Sequence, residues 1–135
     1  MFKLLESLLT GVKRLDDDHR NLISHINSVA EVEKSGDPAA LMRSLSDFRA
    51  ELAKHFQEEE AHLEAMKYPL LRSHAQHHAQ TLAALDQLMR EVSSGEPREM
   101  SVAHICFHEL ASMVLRRDMQ FVNWLADDSK SRQRT

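Results

Sequence analysis

The sequence predicts an all-α fold, an up-down-up-down four-helix bundle, and three observations carry that prediction. Ala, Leu, Glu, Gln, Arg and Met dominate while aromatic residues make up only 5%, a balance that favours helix over sheet. Strong punctuation is confined to Gly36-Asp37-Pro38, Tyr68-Pro69 and the stretch Ser93-Ser94-Gly95-Glu96-Pro97, leaving segments long enough for several helical turns. The connections are short, so consecutive helices are expected to be antiparallel neighbours. With 135 residues, 42% apolar and 28% charged, the chain has the size of one domain, 1–135, built on one core.

The elements follow in order. An N-terminal arm spans residues 1–15. The first helix is expected to take Asp16 or Asp17 as its N-cap and to end near Ser35-Gly36. The second starts with Asp37 as cap and Pro38 in the first helical position, where its missing N–H costs nothing. The third is expected over 70–92 and the fourth over 100–126, followed by a polar tail, 129–135, expected to fray.

Charge narrows the function. The formal net charge is -4 with both signs interspersed, and no basic stripe of the kind a phosphate backbone requires is present, so nucleic acid is not an expected partner. No apolar run reaches the roughly 18 residues of a membrane span. Residues 1–9 are too short and too acidic at Glu6 for a signal peptide, so a cytoplasmic protein without a membrane partner is expected. The single cysteine, Cys106, excludes an intramolecular disulfide and a thiolate zinc site, and is expected to be a small core residue.

Nine histidines stand out. In the second helix Leu41, Leu45, Phe48, Leu52, His55, Glu59, His62 and Met66 follow the spacing of a core-facing stripe, so polar groups interrupt a buried seam. The third helix repeats this with Leu71, Ala75, His78, Leu82, Leu85, Met89 and Val92; His74 lies one turn earlier and His77 on the flank. The first helix gives Leu15, His19, Leu22, Ile26 and Val29. The fourth gives His104, Phe107, Ala111, Val114, Asp118, Phe121 and Leu125.

A buried imidazole or carboxylate without a partner costs several kcal/mol. These groups must therefore satisfy one another or a metal. At about 1.5 Å per residue, reflecting His19 through the Gly36 turn lands near His55, and reflecting His74 and His78 through the Gly95 turn lands near 113–118. His19, His55, Glu59, His74, His78 and Asp118 are thus expected in one layer. Singly, a core histidine is more often hydrogen-bonded than metal-bound; six co-layered groups favour metal. Four imidazoles and two carboxylates suit iron or manganese better than magnesium or calcium, and a carboxylate-bridged pair of metals fits the number of ligands.

These residues resemble the hemerythrin family, in particular its single-domain bacterial members. The resemblance covers almost the whole chain. It rests on Gly11, on Leu15-Asp16-Asp17-Asp18-His19 with Leu22-Ile23 and Ile26-Asn27, on His55-Phe56-Gln57-Glu58-Glu59-Glu60, on Tyr68-Pro69, and on His74 and His78 as H-x-x-x-H. It implies two non-haem irons, carboxylate-bridged and oxo- or hydroxo-bridged. His19 and His55 would hold one and His74 and His78 the other, with Glu59 and Asp118 bridging. It also implies reversible binding of molecular oxygen, with the open position on the iron held by two histidines. The departure lies in the fourth helix: five residues before Asp118, where the family places a third histidine for the second iron, stands Met113. A thioether is a soft, weak ligand for non-haem iron. Met113 is expected to pack beside Val114, with water or an exogenous ligand taking the position.

The leading expectation is a non-haem di-iron protein that binds oxygen or a related small ligand for storage, delivery or sensing. The alternative is a di-iron redox enzyme acting on peroxide or nitric oxide through a second open iron position. A third reading, from another class, is a metal-free helical interaction module. An alternative register for the fourth helix pairs His104 with Glu109. Glu59-Glu60-Ala61-His62 matches the E-x-x-H of ferritin-like bundles, but that fold needs two copies and there is one, so His62 is expected near the layer or at the bundle end. His25, His77, His104 and His108 are expected to be surface or hydrogen-bonded residues, and Glu58 and Glu60 a solvated face.

Overall fold

A computed structural model describes residues 2–4 and 6–133, and among these the regular structure is entirely helical. A short 3-10 turn, Glu6–Leu8, precedes α1 (Lys13–Ser35), α2 (Pro38–Ala65), α3 (Leu71–Ser94) and α4 (Val102–Met113). A π-helical turn, Val114–Asp118, joins α4 to α5 (Met119–Gln133), and α4, the π turn and α5 form one fourth rod. Helix α1 packs on α2 and α4, and α3 on α2 and α4, which closes the expected four-helix bundle. No helix among the described residues is long and apolar enough to cross a membrane.

Local sequence explains the ends of the helices. Asp37 caps α2 as expected, accepting from the backbone N–H of Ala39 and Ala40, with Pro38 following it. Gly36 and Gly95 end α1 and α3 in the left-handed conformation, at φ 74° and 75°. The same motif ends α2 without a glycine. Lys67 takes φ 57°, its N–H donates to the Glu64 carbonyl, and the N–H of Tyr68 reaches back to the Leu63 carbonyl at 3.0 Å.

Neither Asp16 nor Asp17 is the N-cap of α1. The helix starts upstream, with Val12 in the cap position. Asp16 is instead buried in the first turn, where it accepts from the N–H and hydroxyl of Thr10 and the N–H of Gly11. Those three bonds fold the arm onto the helix, which is why the helix begins before the aspartates. Asp17 faces solvent between Lys13 and Arg20, and these cations lower its pKa, Lys13 foremost. Farther up, the Asn27 side chain exchanges two hydrogen bonds with the backbone of Phe2, whose ring stacks on Phe107 at 4.7 Å.

The segment expected as a polar tail continues α5 as far as Gln133; its last two residues lie outside the described residues, as do Met1 and Leu5 of the arm. At the opposite end of the fourth rod, the N-terminus of α4 is capped from a distance. Glu33 of α1 accepts from the N–H of Val102 at 2.7 Å and of Ala103 at 3.3 Å, and the Ser101 hydroxyl oxygen accepts from His104.

The fourth rod corrects its expected stripe. His104, Phe107 and Ala111 are not the buried positions of α4; Val102, Ala103, Cys106, Leu110 and Met113 are. The expected set was a regular helical repeat extended backwards from Asp118. The π turn holds one residue more than an α turn, so the face upstream of it is displaced by one position. In the other helices the stripe holds in α1 and largely in α2, while in α3 His74, His78, Thr81, Leu85, Leu88 and Val92 are buried and the expected Leu71, Ala75, Leu82 and Met89 are half-buried. Leu15, His19, Leu22, Ile26 and Val29 are all buried in α1. In α2 Leu63 replaces His62, which is exposed.

Apolar burial falls into two clusters. The larger contains Leu22, Ile26, Phe48, Leu52, Leu85 and Leu110; the smaller contains Leu15, Leu63, Tyr68 and Phe121. Along each rod the ionisable groups lie between them.

Candidate metal centre

All six residues of the expected layer are buried and face one another. His19 comes from α1, His55 and Glu59 from α2, His74 and His78 from α3, and Asp118 from the end of the π turn. The Nε2 atoms of the four histidines converge on two carboxylates. His19 Nε2 donates to Asp118 Oδ2 at 2.9 Å, and His74 Nε2 lies 3.4 Å from Oδ1 of the same group. Across the layer, His74 Nε2 bonds Glu59 Oε1 at 2.5 Å, His78 Nε2 lies 3.5 Å from that oxygen, and His55 Nε2 lies 3.1 Å from Oε2. Each carboxylate therefore turns one oxygen toward the α1/α2 side and the other toward α3.

Two sets of ligand atoms are close enough to surround a cation: Glu59, His74, His78 and Asp118, and His19, His55 and Asp118, each set lying within 4.8 Å. Hydrogen bonding does not exhaust these groups. Glu59 Oε2, Asp118 Oδ1 and His78 Nε2 are buried with no hydrogen-bond partner, although each points into the layer at an opposing group. Buried acceptors and imidazole nitrogens left open in this way are costly unless something satisfies them. A nitrogen- and oxygen-rich set without thiolate matches a transition-metal cation such as iron.

Electrostatics within the layer agree. Burial would depress His74, but hydrogen bonds to Asp118 and Glu59 outweigh it and hold the imidazole up at about 9. His55 is likewise raised against burial, by Glu59 first and then by Asp118 and Asp18. Burial would raise Glu59, yet hydrogen bonds from His55, His74 and His78 hold it well below the usual carboxylate range. Without metal, protons occupy the layer and hold the anions together.

Two positioning residues were not legible as such. His55 Nδ1 donates to Asp18 Oδ2 at 3.1 Å, and His78 Nδ1 to Glu60 Oε2 at 2.8 Å, while the ring of Phe56 stacks on His78 at 3.8 Å. Glu60 is thus not part of a solvated face, because the ring it orients lies within reach. Metal-binding histidines commonly donate their second nitrogen to a carboxylate. The signal was adjacency: Asp18 precedes His19 and Glu60 follows Glu59.

The remaining histidines stay out of the layer. His62 and His108 are exposed, His25 is half-buried, and His104 packs against Phe2 instead of joining Glu109 at the centre, so the alternative register does not form. His77 lines a cavity on the α3 flank, and partial burial followed by the Arg117 charge lowers its pKa. Cys106 is fully buried, and burial raises its thiol to about 12, which fits a core residue. Met113 is buried beside Val114. Tyr68 seats its ring edge-on near His74, Phe121 and Trp124, its hydroxyl buried without a partner.

Comparison with known proteins points the same way. The family model described as "Hemerythrin HHE cation binding domain" matches residues 10–125. The chain is 29% identical over 125 residues to a bacteriohemerythrin of Ralstonia nicotianae (strain ATCC BAA-1114 / GMI1000), spanning 90% of this chain and 86% of that protein. No solved structure matches.

Proposed function

Because this chain belongs to the hemerythrin family, we propose that it is a non-haem di-iron protein that binds dioxygen or a related small ligand inside its helical bundle. His19 and His55 would hold one iron and His74 and His78 the other, with Glu59 and Asp118 placed to be shared by both. The observation that carries this reading is the division of each carboxylate between the two sides of the layer. When bound, the irons supply the electrons that dioxygen chemistry needs.

The chain supplies geometry and dryness. Asp18 and Glu60 fix the rings of His55 and His78 so that Nε2 faces the centre. The apolar clusters above and below exclude bulk water. A second reading, redox chemistry on peroxide or nitric oxide, is favoured by Met113, because it leaves the His74/His78 side with two imidazoles, the same number as the other side.

Iron analysis with optical spectra under air, without air and with azide tests the proposal; two irons per chain and an oxygen- or azide-dependent band are expected. Glu59→Ala is expected to lose both irons. Retention of two irons with an unchanged spectrum in that variant refutes the bridging role, and a colourless, iron-free chain refutes the whole reading.

A further inference from the structure

The chain contains one tyrosine and one tryptophan, and their rings are in contact. Tyr68, in the turn between α2 and α3, is 4% exposed and tied down on both sides of its own backbone: its N–H donates to the Leu63 carbonyl at 3.0 Å, and its carbonyl accepts from the N–H of Leu71 at 3.2 Å. The Tyr68 ring stands edge-on to His74 of the layer, with centroids 6.2 Å apart, and edge-on to Trp124 of α5 at 5.1 Å. Trp124 is half-buried and so reaches solvent. Both separations lie within the contact range of ring pairs. A row of three rings therefore leads from a buried group of the candidate centre to the protein surface.

Phenol and indole are among the side chains that give up one electron most readily. Cys106, the one thiol, lies in the larger apolar cluster, whereas Tyr68 and Trp124 belong to the smaller one. The two rings differ in how they can hold a lost electron. A phenol becomes a stable radical only if a base takes its proton, and the Tyr68 hydroxyl is buried with no partner. An indole can persist as the radical cation and then release its N–H proton to water at the surface. The radical therefore comes to rest on Trp124, and Tyr68 serves as the relay between it and the layer.

Resting on the reading that the layer holds iron, we propose that Tyr68 and Trp124 form an electron route from the surface to the centre, which completes the reduction of hydrogen peroxide when only one ferrous iron is present. A ferrous pair supplies both electrons that break the O–O bond. A single ferrous iron supplies one and becomes ferric; Trp124 supplies the second through the Tyr68 ring. The peroxide takes up both electrons and two protons and leaves as two waters, while Trp124 releases its indole proton, so one proton is drawn from solvent overall. An external one-electron donor of the ascorbate or thiol class returns the electron to Trp124, and solvent returns the proton. The route keeps the oxidising equivalent off the imidazoles of the layer.

The test is to load the chain anaerobically with one ferrous iron, mix it with one equivalent of hydrogen peroxide, and follow it by freeze-quench electron paramagnetic resonance and peptide mass spectrometry. A tryptophan radical and oxygen addition at Trp124 are expected, and ascorbate is expected to abolish both. Tyr68→Phe removes a hydroxyl without a partner, so fold and iron uptake are expected to persist. Its less oxidisable ring is expected to suppress the Trp124 radical and to move oxygen addition onto His74 and the other imidazoles of the layer. Trp124→Phe is expected to abolish the tryptophan radical with the same shift of damage. Met100, 43% exposed ahead of α4, reports any oxidant that escapes into solution and is expected to stay unmodified. A Trp124 radical undiminished by Tyr68→Phe, oxidation of Trp124 and Met100 together, or no tryptophan radical in a chain that carries iron overturns the inference and leaves the iron reading standing. A chain that takes up no iron overturns both.

Discussion

Helix α1 and the fourth rod each deliver one group to the same layer, His19 and Asp118, but they do so on different helical repeats. In α1 the repeat is unbroken, and every residue from Leu15 to Val29 that falls in phase with His19 is buried. In the fourth rod five residues ending in Asp118 wind as a π turn, and the buried face of α4 lies one position away from where an unbroken repeat would put it. The difference shows what a π turn does. It absorbs one extra residue, so that the core upstream and the carboxylate downstream can both face the axis.

One pair of deletions can break this comparison. Removing the exposed Arg20 from α1 turns Leu15 and His19 about 100° away from Leu22, Ile26 and Val29. A loss of more than about 4 kcal/mol is expected, together with loss of iron retention. Removing Leu115, 52% exposed in the π turn, converts the fourth rod to a regular repeat in which Met113 stands four residues before Asp118 and the buried face of α4 stays in phase. A loss under about 1.5 kcal/mol is expected there, with iron retained. Thermal melts and iron analysis decide, and equal damage from both deletions refutes the phase-keeping role.

A second, smaller effect sharpens the same point. In the metal-free protein the His74 pKa stands at about 9, burial being outweighed by hydrogen bonds to Asp118 and Glu59. The folded value lies above the unfolded one of about 6.5. The stabilisation from protonated His74 is therefore fully present below about pH 6.5 and is lost as pH rises through about 9. The loss is expected to be on the order of 2 to 3 kcal/mol, measurable as a fall in denaturant midpoint between pH 6 and 9.5. If the Leu115 deletion draws Asp118 away from His74, this fall shrinks; if it is unchanged, the turn serves packing alone. Metal competes with the same proton, so iron uptake should strengthen across that window.

How much was legible follows from the same contrast. The layer could be found because α1, α2 and α3 keep a regular repeat around His19, His55, Glu59, His74 and His78, and because short turns fix their levels. The face of α4 could not, since nothing in Val114-Leu115-Arg116-Arg117-Asp118 announces a π turn. Asp16 was misread because a carboxylate near a helix start caps in most sequences, whereas here a threonine and a glycine upstream claim it.

The smallest effect concerns the other local departure from regularity, at the end of α2. Lys67 occupies a left-handed position that glycine fills at the ends of α1 and α3. Lys67→Gly is expected to raise stability by about 0.5 to 1 kcal/mol, the relief of the side-chain clash exceeding the entropy glycine adds to the unfolded chain. An unchanged or lower melting temperature would show that the lysine side chain contributes to the turn.

The polar layer also divides the interior. Its carboxylates and imidazoles form a septum between a large apolar cluster reaching up to Val29 and Val92 and a small one around Leu15, Leu63, Tyr68 and Phe121. Few apolar contacts cross such a septum, so the two ends of the bundle are joined chiefly by helix continuity and by whatever binds the polar groups together. The smaller end becomes a separate opening unit whose cohesion rises and falls with the state of the layer. Occupancy of the centre is in this way a clamp on the folding cooperativity of the bundle, independent of any ligand chemistry performed there.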